Sequence, residues 1–194
     1  MENKHLLILG KSGTGKTHLI KSALSQGKFG NRIFIIDIKG AEYADLGKET
    51  TFLDACKTLK TMKKDTPFLW RFVPESESQI QMFCRLALTV GNCVVIAEEV
   101  SEYARLPKFR VLLTRGRSEG VQTVCIAQRP ADVHRSVQSQ CAMTIAFFTD
   151  DSRDLQWVLE RYDQNSADEV RTLDKSKYEI AVWGETHLYN QYFK

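Results

Sequence analysis

Eight consecutive residues, Gly10 to Thr17, have the types and spacing of a phosphate-binding loop. They read GKSGTGKT and match the pattern G-x-x-x-x-G-K-[ST] in full. In this pattern, glycines let backbone N–H groups converge on a phosphate at a helix N-terminus, Lys16 reaches the β- and γ-phosphates, and the Thr17 hydroxyl binds Mg²⁺. We therefore expect ATP and Mg²⁺ as cofactors, with the nucleotide bound by Gly10, Lys11, Ser12, Gly13, Thr14, Gly15, Lys16 and Thr17.

Two adjacent carboxylates, Glu98 and Glu99, follow the apolar run Cys93–Ala97. This is the form of a Walker B element, in which the first carboxylate holds Mg²⁺ and the second orients and polarises the attacking water. Because adjacent strand residues point to opposite sides, we expect Glu98 to face the metal and Glu99 to face the reacting end.

Two other polar residues end apolar runs. Gln128 follows residues 121–127 and is a candidate γ-phosphate sensor, since a polar residue at the tip of a strand beside the loop strand can contact that phosphate. Asp37 follows residues 32–36, and there a functional role and simple turn chemistry are equally consistent with the sequence.

The elements that must position these residues alternate between strand and helix. A short buried strand, His5–Leu9, precedes the loop, and a helix over Thr17–Leu24 follows it. Further strands are predicted over 32–37, 68–73, 93–97, 121–127 and 143–148. Helices are predicted around 52–62, from Ser76 to Gly91 with Ser76 and Gln79 as a capping box, from Pro107, and from Ser152 as a cap.

The C-terminal segment predicts a β-hairpin. Its arms are Tyr178–Trp183 and His187–Tyr192, with Gly184 between them. We interpret its aromatic side chains as core or edge packing rather than as a base-stacking platform.

Composition is that of an ordinary globular protein: 194 residues, a formal net charge of +3 and five cysteines. The length suits one domain, residues 1–194. The cysteines lack metal-ligand spacing and are interpreted as reduced core residues. We find no signal peptide and no apolar run that would span a membrane, so we expect an intracellular protein or one assembled inside a cell.

Basic residues are clustered at two places. The first cluster is best interpreted as the solvated face of a helix and consists of Lys57, Lys60, Lys63 and Lys64. The second lies beside motifs that suggest a catalytic or nucleic-acid role and consists of Lys108, Arg110, Arg115 and Arg117.

Taken together, these motifs resemble the FtsK/HerA group of P-loop motors that pump double-stranded DNA. The likeness runs from the first strand to about Leu159. It rests on GKSGTGKT, on IDIKGAEY at 36–43, on VVIAEEVSEY at 94–103, and above all on TRGRSEGVQTVCIAQRP at 114–130, with IAFF at 145–148 and DDSRD at 150–154 continuing the match.

The resemblance implies an α/β fold with a RecA-like (ASCE) P-loop NTPase core, a mostly parallel central sheet flanked by helices. It also implies a homo-oligomeric ring, a pentamer or hexamer, with ATP at each subunit boundary. By this resemblance, Arg117 is similar to the arginine finger that acts on the γ-phosphate bound by a neighbouring subunit. Arg115 is the second candidate for this role. Two residues depart from the family pattern: Glu98 stands where Asp is usual, and Ala127 stands where Thr is common.

With 194 residues, the chain resembles one part of this group in particular, the genome-packaging ATPases of tailless viruses with internal membranes. By analogy we expect double-stranded DNA as substrate, a capsid-vertex or viral membrane protein as docking partner, and a location in the virion or host cytoplasm. Segments 103–110 and 132–140, with Arg105, Lys108, Arg110 and Arg135, are candidate DNA contacts. Two alternatives stay open: an ATP-dependent assembly or secretion factor, and a P-loop kinase for a small molecule.

Overall fold

A computed structural model describes residues 4–194, and within this range eight strands form one sheet. The strands are β1 His5–Leu9, β2 Arg32–Ile36, β3 Lys48–Glu49, β4 Phe68–Phe72, β5 Cys93–Ala97, β6 Val121–Ala127, β7 Cys141–Phe147 and β8 Ile180–Gly184. Their order across the sheet is β3-β4-β2-β5-β6-β1-β7-β8. Neighbours are parallel except for β7 and β8, which are antiparallel. The predicted mostly parallel α/β core is therefore confirmed.

Eight helices accompany the sheet in the same range. They are α1 Lys16–Ser25, α2 Phe52–Thr61, α3 Glu77–Val90, α4 Pro107–Arg115, α5 Arg135–Gln138, α6 Ser152–Arg161, α7 Gln164–Thr172 and α8 His187–Phe193. Residues of α1 and α8 pack on one face of the sheet, while residues of α2, α3, α4, α6 and α7 pack on the other. None of the helices within 4–194 is long and apolar enough to cross a membrane.

The central strands are apolar throughout because both faces of the sheet are covered. In β1, Leu7 and Leu9 belong to the core beneath α3 and α4, while Leu6 and Ile8 belong to the core beneath α1. Successive side chains of a strand point to opposite faces, so a strand between two helical layers needs an unbroken apolar run. Three of the five cysteines, Cys84, Cys93 and Cys125, are buried in the core.

The C-terminal antiparallel pair that the sequence predicts is present, but its strands are β7 and β8. The predicted second arm, His187–Tyr192, is wrong: these residues lie in helix α8. Leu188 and Tyr192 are both buried against the α1 face, at the four-residue spacing of a helix. Packing of this segment on the sheet thus favours a helix, in which residues four apart share a face, over a strand, in which side chains alternate between faces.

Two predicted helix starts can be compared with the structure. Ser76 does cap α3, accepting a hydrogen bond from the backbone N–H of Gln79. The predicted cap of α6, Ser152, is wrong by one residue. Asp151 is the N-cap, and its carboxylate accepts hydrogen bonds from the backbone of Arg153 and Asp154.

Strand order brings the chemistry-bearing residues to one edge. Strand β6 lies between β1, which leads into the phosphate-binding loop, and β5, which ends at Glu98. Strand β2 lies on the other side of β5. Since these strands are parallel, the loops that follow them meet at the carboxyl edge of the sheet, where open α/β sheets bind ligands.

Candidate functional site

The loop Gly10–Thr17 forms one wall of a pocket of about 300 Å³ at the carboxyl edge. Gly15 has φ +104°, a left-handed conformation that side-chain-bearing residues rarely adopt, and it immediately precedes the first residue of α1. Gly10 is needed for space, since a Cβ there would lie 2.7 Å from Thr14 Oγ1. The loop thus leads its backbone directly to a helix N-terminus, the arrangement that binds phosphate.

Lys16 is buried at the base of this loop. Its Nζ donates hydrogen bonds to the carbonyl oxygens of Gly10 (2.5 Å) and Lys11 (3.0 Å). Burial lowers the pKa of Lys16, while the charges of Glu98 and Glu99 oppose that shift. A cation held by loop carbonyls beside two carboxylates is placed to meet a phosphate entering the pocket.

Glu98 directly follows β5 and is 4% exposed. Its Oε1 accepts a hydrogen bond of 3.1 Å from the hydroxyl of Tyr43. Burial raises the pKa of Glu98 to about 7, against the opposing effects of the Tyr43 hydrogen bond and of Lys16. This carboxylate is therefore short of positive partners, which a divalent cation would supply.

Glu99 lines the same pocket as Glu98, which the alternation of side chains along a strand would not predict. It follows β5 in a left-handed conformation, with φ +50°, so its side chain lines the pocket together with that of Glu98. The expectation that the two would point to opposite sides of a strand is wrong, because both residues lie in the turn that follows β5. Its Oε1 accepts hydrogen bonds from Lys39 Nζ (2.6 Å) and from Gln128 Nε2. Gln128 thus lies at the strand tip beside the loop strand, as predicted.

Glu42 belongs to the segment that follows β2, where the sequence places carboxylates at the carboxyl edge but assigns no role to Glu42, and it lines the pocket. Its Oε2 accepts a hydrogen bond of 3.1 Å from the hydroxyl of Thr17. The turn that carries it is fixed by Asp37, which is fully buried and accepts hydrogen bonds from the backbone of Gly40 and Tyr43. Of the two roles left open for Asp37, the structure therefore displays the turn role.

Tyr178 also lines the pocket, although it lies far along the chain. Its ring is stacked on that of His18, with centroids 6.1 Å apart. Trp183 and Tyr192 are buried, which agrees with the packing role expected for the C-terminal aromatics. Tyr178 differs from these two in that 55% of the residue is exposed, so it does not belong to the core.

Comparison with known proteins adds to this geometry. Residues 1–88 match the family model described as helicase HerA, central domain. The DNA packaging ATPase P9 of Enterobacteria phage PRD1 is 27% identical over 169 residues, which cover 81% of this chain and 69% of P9. The chain is thus similar to the HerA central domain over residues 1–88 and to a viral DNA packaging ATPase over most of its length.

Solved structures with a similar fold come from other systems. The genome packaging NTPase B204 of Sulfolobus turreted icosahedral virus 2, in complex with AMPPCP, superposes with a TM-score of 0.75 at 18% identity, covering 94% of this chain and 97% of B204. The cytoplasmic domain of the type VII secretion ATPase EccC of Thermomonospora curvata superposes with a TM-score of 0.60 at 16% identity, covering 94% of this chain and 24% of EccC. These likenesses concern the fold.

Arg115 and Arg117 lie far from the pocket of their own chain. Arg117 is exposed on a 3₁₀ turn, Gly116–Glu119, that precedes β6. Gln128 follows the other end of this strand, and seven residues span about 20 Å. Arg115 is also exposed and lies 3.7 Å from Glu119. Neither arginine therefore reaches the phosphate-binding loop of the same chain.

The two segments expected to contact DNA adjoin each other in the structure. The Ser136 hydroxyl donates a hydrogen bond of 3.5 Å to the carbonyl oxygen of Ala104. Arg105, Arg110 and Arg135 are exposed, and Lys108 is half-buried. Tyr103, in contrast, is buried and donates a hydrogen bond of 2.8 Å to the Glu98 carbonyl. One segment is thus joined directly to the end of the Walker B strand.

Proposed function

We propose that this chain hydrolyses ATP to drive double-stranded DNA into a preformed viral capsid. Residues 1–194 act in this proposal as a single ATPase domain. The observation that carries it is a pocket lined by the loop that ends at Thr17 and by Glu98 and Glu99, in a chain that aligns with a DNA packaging ATPase over 81% of its length. The distance between that site and Arg117 in one chain supports a motor made of several copies.

Within each subunit, the chain's own residues have separate tasks. The loop N–H groups and Lys16 hold the phosphates. Glu99 orients and polarises the attacking water, and Gln128 contacts the γ-phosphate from the adjacent strand tip. Glu99 accepts hydrogen bonds from two side chains, and a carboxylate has further lone pairs with which to accept a hydrogen bond from water.

The donor set of the pocket fits Mg²⁺. The hydroxyl of Thr17 and the carboxylates of Glu98 and Glu42 provide the hard oxygen ligands that this ion prefers, directly or through water. Thr17 and Glu98 would hold it, and Glu42 would orient the Thr17 hydroxyl. When bound, Mg²⁺ supplies positive charge to the β- and γ-phosphates.

Arg117 acts in trans in this proposal. It is exposed at the amino edge of the sheet, so a neighbour in a ring can bring it to the carboxyl-edge pocket of the next subunit. There it stabilises charge that develops on the γ-phosphate, with Arg115 as the alternative. The ring is a pentamer or hexamer, and it docks on a capsid-vertex or viral membrane protein in the virion or host cytoplasm.

DNA phosphates are contacted by the joined segments around Arg105, Arg110 and Arg135. Contacts from arginine and lysine to phosphates carry no sequence information and weaken with salt. DNA binding is therefore expected to be independent of sequence and to fall steeply as salt concentration rises.

The test is steady-state ATP hydrolysis at high protein concentration, with and without linear double-stranded DNA. We expect DNA to stimulate the wild type and Arg117→Ala to lose that stimulation while it still binds ATP. The absence of any DNA effect, together with a silent Arg117→Ala, would overturn the motor and favour an assembly or secretion factor or a small-molecule kinase.

Mixing two variants that each lack DNA-stimulated hydrolysis tests whether Arg117 acts on the active site of a neighbouring subunit or on that of its own chain. Glu99→Gln retains Arg117, and Arg117→Ala retains Glu99. In randomly assembled rings containing equal amounts of both, about a quarter of the interfaces combine an intact Glu99 with an intact Arg117. Activity should therefore return on mixing. If Arg117 acted within its own chain, the mixture would remain as inactive as its components.

A further inference from the structure

The ring of Tyr178 lies directly against the phosphate-binding loop. A Cβ built on Gly15 would be 2.6 Å from Cδ1 of Tyr178, so only glycine leaves room for the ring at this distance. The Tyr178 ring is also stacked on the ring of His18, with an interplanar angle of 25°. His18 directly follows Thr17 and belongs to the first turn of α1. The two rings thus line the pocket together with the loop itself.

The backbone holds Tyr178 in this position. The residue has φ +54°, the left-handed region that side-chain-bearing residues rarely adopt. It ends a 3₁₀ turn, and its N–H donates a hydrogen bond of 3.2 Å to the carbonyl of Lys175. The following N–H, of Glu179, donates one of 3.2 Å to the carbonyl of Asp174. The turn therefore fixes where the ring leaves the backbone.

Exposure distinguishes Tyr178 from the other aromatic residues of the C-terminal segment. Among the described residues, the large apolar side chains that remain exposed are Leu53, Met82 and Tyr178. Of these three, Tyr178 is the one that lines the phosphate-binding pocket. An exposed aromatic face in a binding pocket is suited to stacking with a planar ligand.

Strand order shows which part of a nucleotide would meet this ring. Glu99 and Gln128 follow β5 and β6, on one side of the loop strand β1. Tyr178 precedes β8, which lies beyond β7 on the opposite side of β1. Since the γ-phosphate must approach Glu99 and Gln128, the nucleoside must extend in the other direction, toward Tyr178 and His18.

We infer that Tyr178, supported by His18, is the platform on which the purine base of the bound nucleotide stacks. The inference rests on the proposed ATP-binding function and adds a base subsite to it. The ring meets the face of the base, and base–aromatic stacking of this kind contributes substantially to nucleotide affinity.

The test compares a ligand that has a base with one that lacks it. Calorimetric titrations with AMPPCP and with inorganic tripolyphosphate, both with Mg²⁺, are made on the wild type, Tyr178→Ala and Tyr178→Phe. We expect Tyr178→Ala to weaken AMPPCP binding by about 5- to 100-fold, the range that removal of one stacking ring gives, and to leave tripolyphosphate binding unchanged. Tyr178→Phe, which keeps the ring, should bind both ligands like the wild type.

Tyr189→Ala is the matched control, because Tyr189 is on α8, stacks on Phe193 and does not line the pocket. It should bind both ligands like the wild type. Unchanged tripolyphosphate affinity in Tyr178→Ala also verifies that the variant is folded. Equal AMPPCP affinity in the wild type and Tyr178→Ala would overturn the base platform, as would an equal loss for both ligands, which would mean that the ring only supports the loop. A wild type that bound neither ligand would instead overturn the nucleotide-binding function itself.

Discussion

Lys39 Nζ lies 2.6 Å from Glu99 Oε1, and this ion pair joins the turn after β2 to the end of β5. Gln128, at the tip of β6, donates a hydrogen bond to the same oxygen. The Glu99 carboxylate is thus positioned by two neighbouring strand ends. Lys39 is well exposed, and ion pairs of this kind contribute little to stability. The arrangement is better explained by placement of a reactive group than by a need for folding energy.

Glu99→Gln should slow turnover strongly and leave nucleotide binding intact. The amide keeps the size of the side chain but cannot act as a base, so we expect kcat to fall by about 10²- to 10⁴-fold. Rates and AMPPCP affinity are measured on the same preparations. Glu102→Gln is the control, because Glu102 is exposed three residues further on and does not line the pocket. Equal losses in both variants would show that Glu99 has no special role.

Glu42→Gln should increase the Mg²⁺ concentration that hydrolysis requires. Glu42 accepts a hydrogen bond from the Thr17 hydroxyl, which directs the oxygen lone pairs of Thr17 toward the proposed metal position. Loss of such an orienting carboxylate lowers metal affinity by roughly 10-fold or more. The measurement is the half-saturating Mg²⁺ concentration at saturating ATP.

A control for Glu42 is available on the same loop. Asp45→Asn removes an exposed carboxylate that pairs with Lys21 and does not line the pocket. It should leave the Mg²⁺ requirement unchanged. If Glu42→Gln behaves like Asp45→Asn, Glu42 does not orient a metal ligand.

The sequence predicts the sheet and the loop well because their signals are local. An apolar run buried on both faces, such as β1 or β5, is recognisable without knowledge of its neighbours, and the loop motif defines its own backbone. Glu98 and Glu99 were found for the same reason, as the ending of such a run. Helix α8 was missed although Leu188 and Tyr192 have helical spacing, because the short segment also fits alternation.

Residues placed by distant contacts could not be predicted in this way. Glu42 reaches Thr17 because Asp37 folds the intervening turn, and Asp37 in turn pairs with Arg71 on another strand. Tyr178 reaches Gly15 because β8 is added beyond β7, a choice of sheet order that no local pattern encodes. Likewise, no periodic pattern in the sequence predicts the left-handed backbone conformation of Glu99.

Asp37→Ala should destabilise the fold strongly. Arg71 is buried and lies 3.3 Å from the Asp37 carboxylate, so the substitution leaves a buried cation without its buried partner and removes two acceptors of backbone hydrogen bonds. We expect a loss of about 3–5 kcal/mol in the free energy of unfolding, measured with urea. Glu49, the other carboxylate that contacts Arg71, is 64% exposed, so Glu49→Gln should cost less than about 1 kcal/mol. Similar losses in the two variants would contradict this account.

Acid should destabilise the protein through His5, which ties the start of β1 to helix α4 and strand β6. Its ring is fully buried; Nε2 donates to the Leu113 carbonyl (2.8 Å), and Nδ1 accepts from the Thr123 N–H (2.9 Å), so the ring is neutral. Burial lowers the pKa of His5 to about 4, with the carbonyl of Leu113 opposing and the charge of Arg117 adding to the shift.

The direction of the His5 effect follows from the two pKa values. Unfolded His5 binds a proton below its ordinary pKa of 6.5, whereas folded His5 does so only near 4, so the unfolded state takes up more protons in this interval. Stability should therefore fall as pH drops from 6.5 toward 4, by up to about 3 kcal/mol from this residue. Urea unfolding at pH 7.5 and pH 5 measures the fall in the wild type, His5→Gln and His187→Gln. His187 is well exposed and should show the wild-type dependence, whereas His5→Gln should be less stable at pH 7.5 and lose less on acidification. An undiminished fall in His5→Gln would assign the acid sensitivity to other groups.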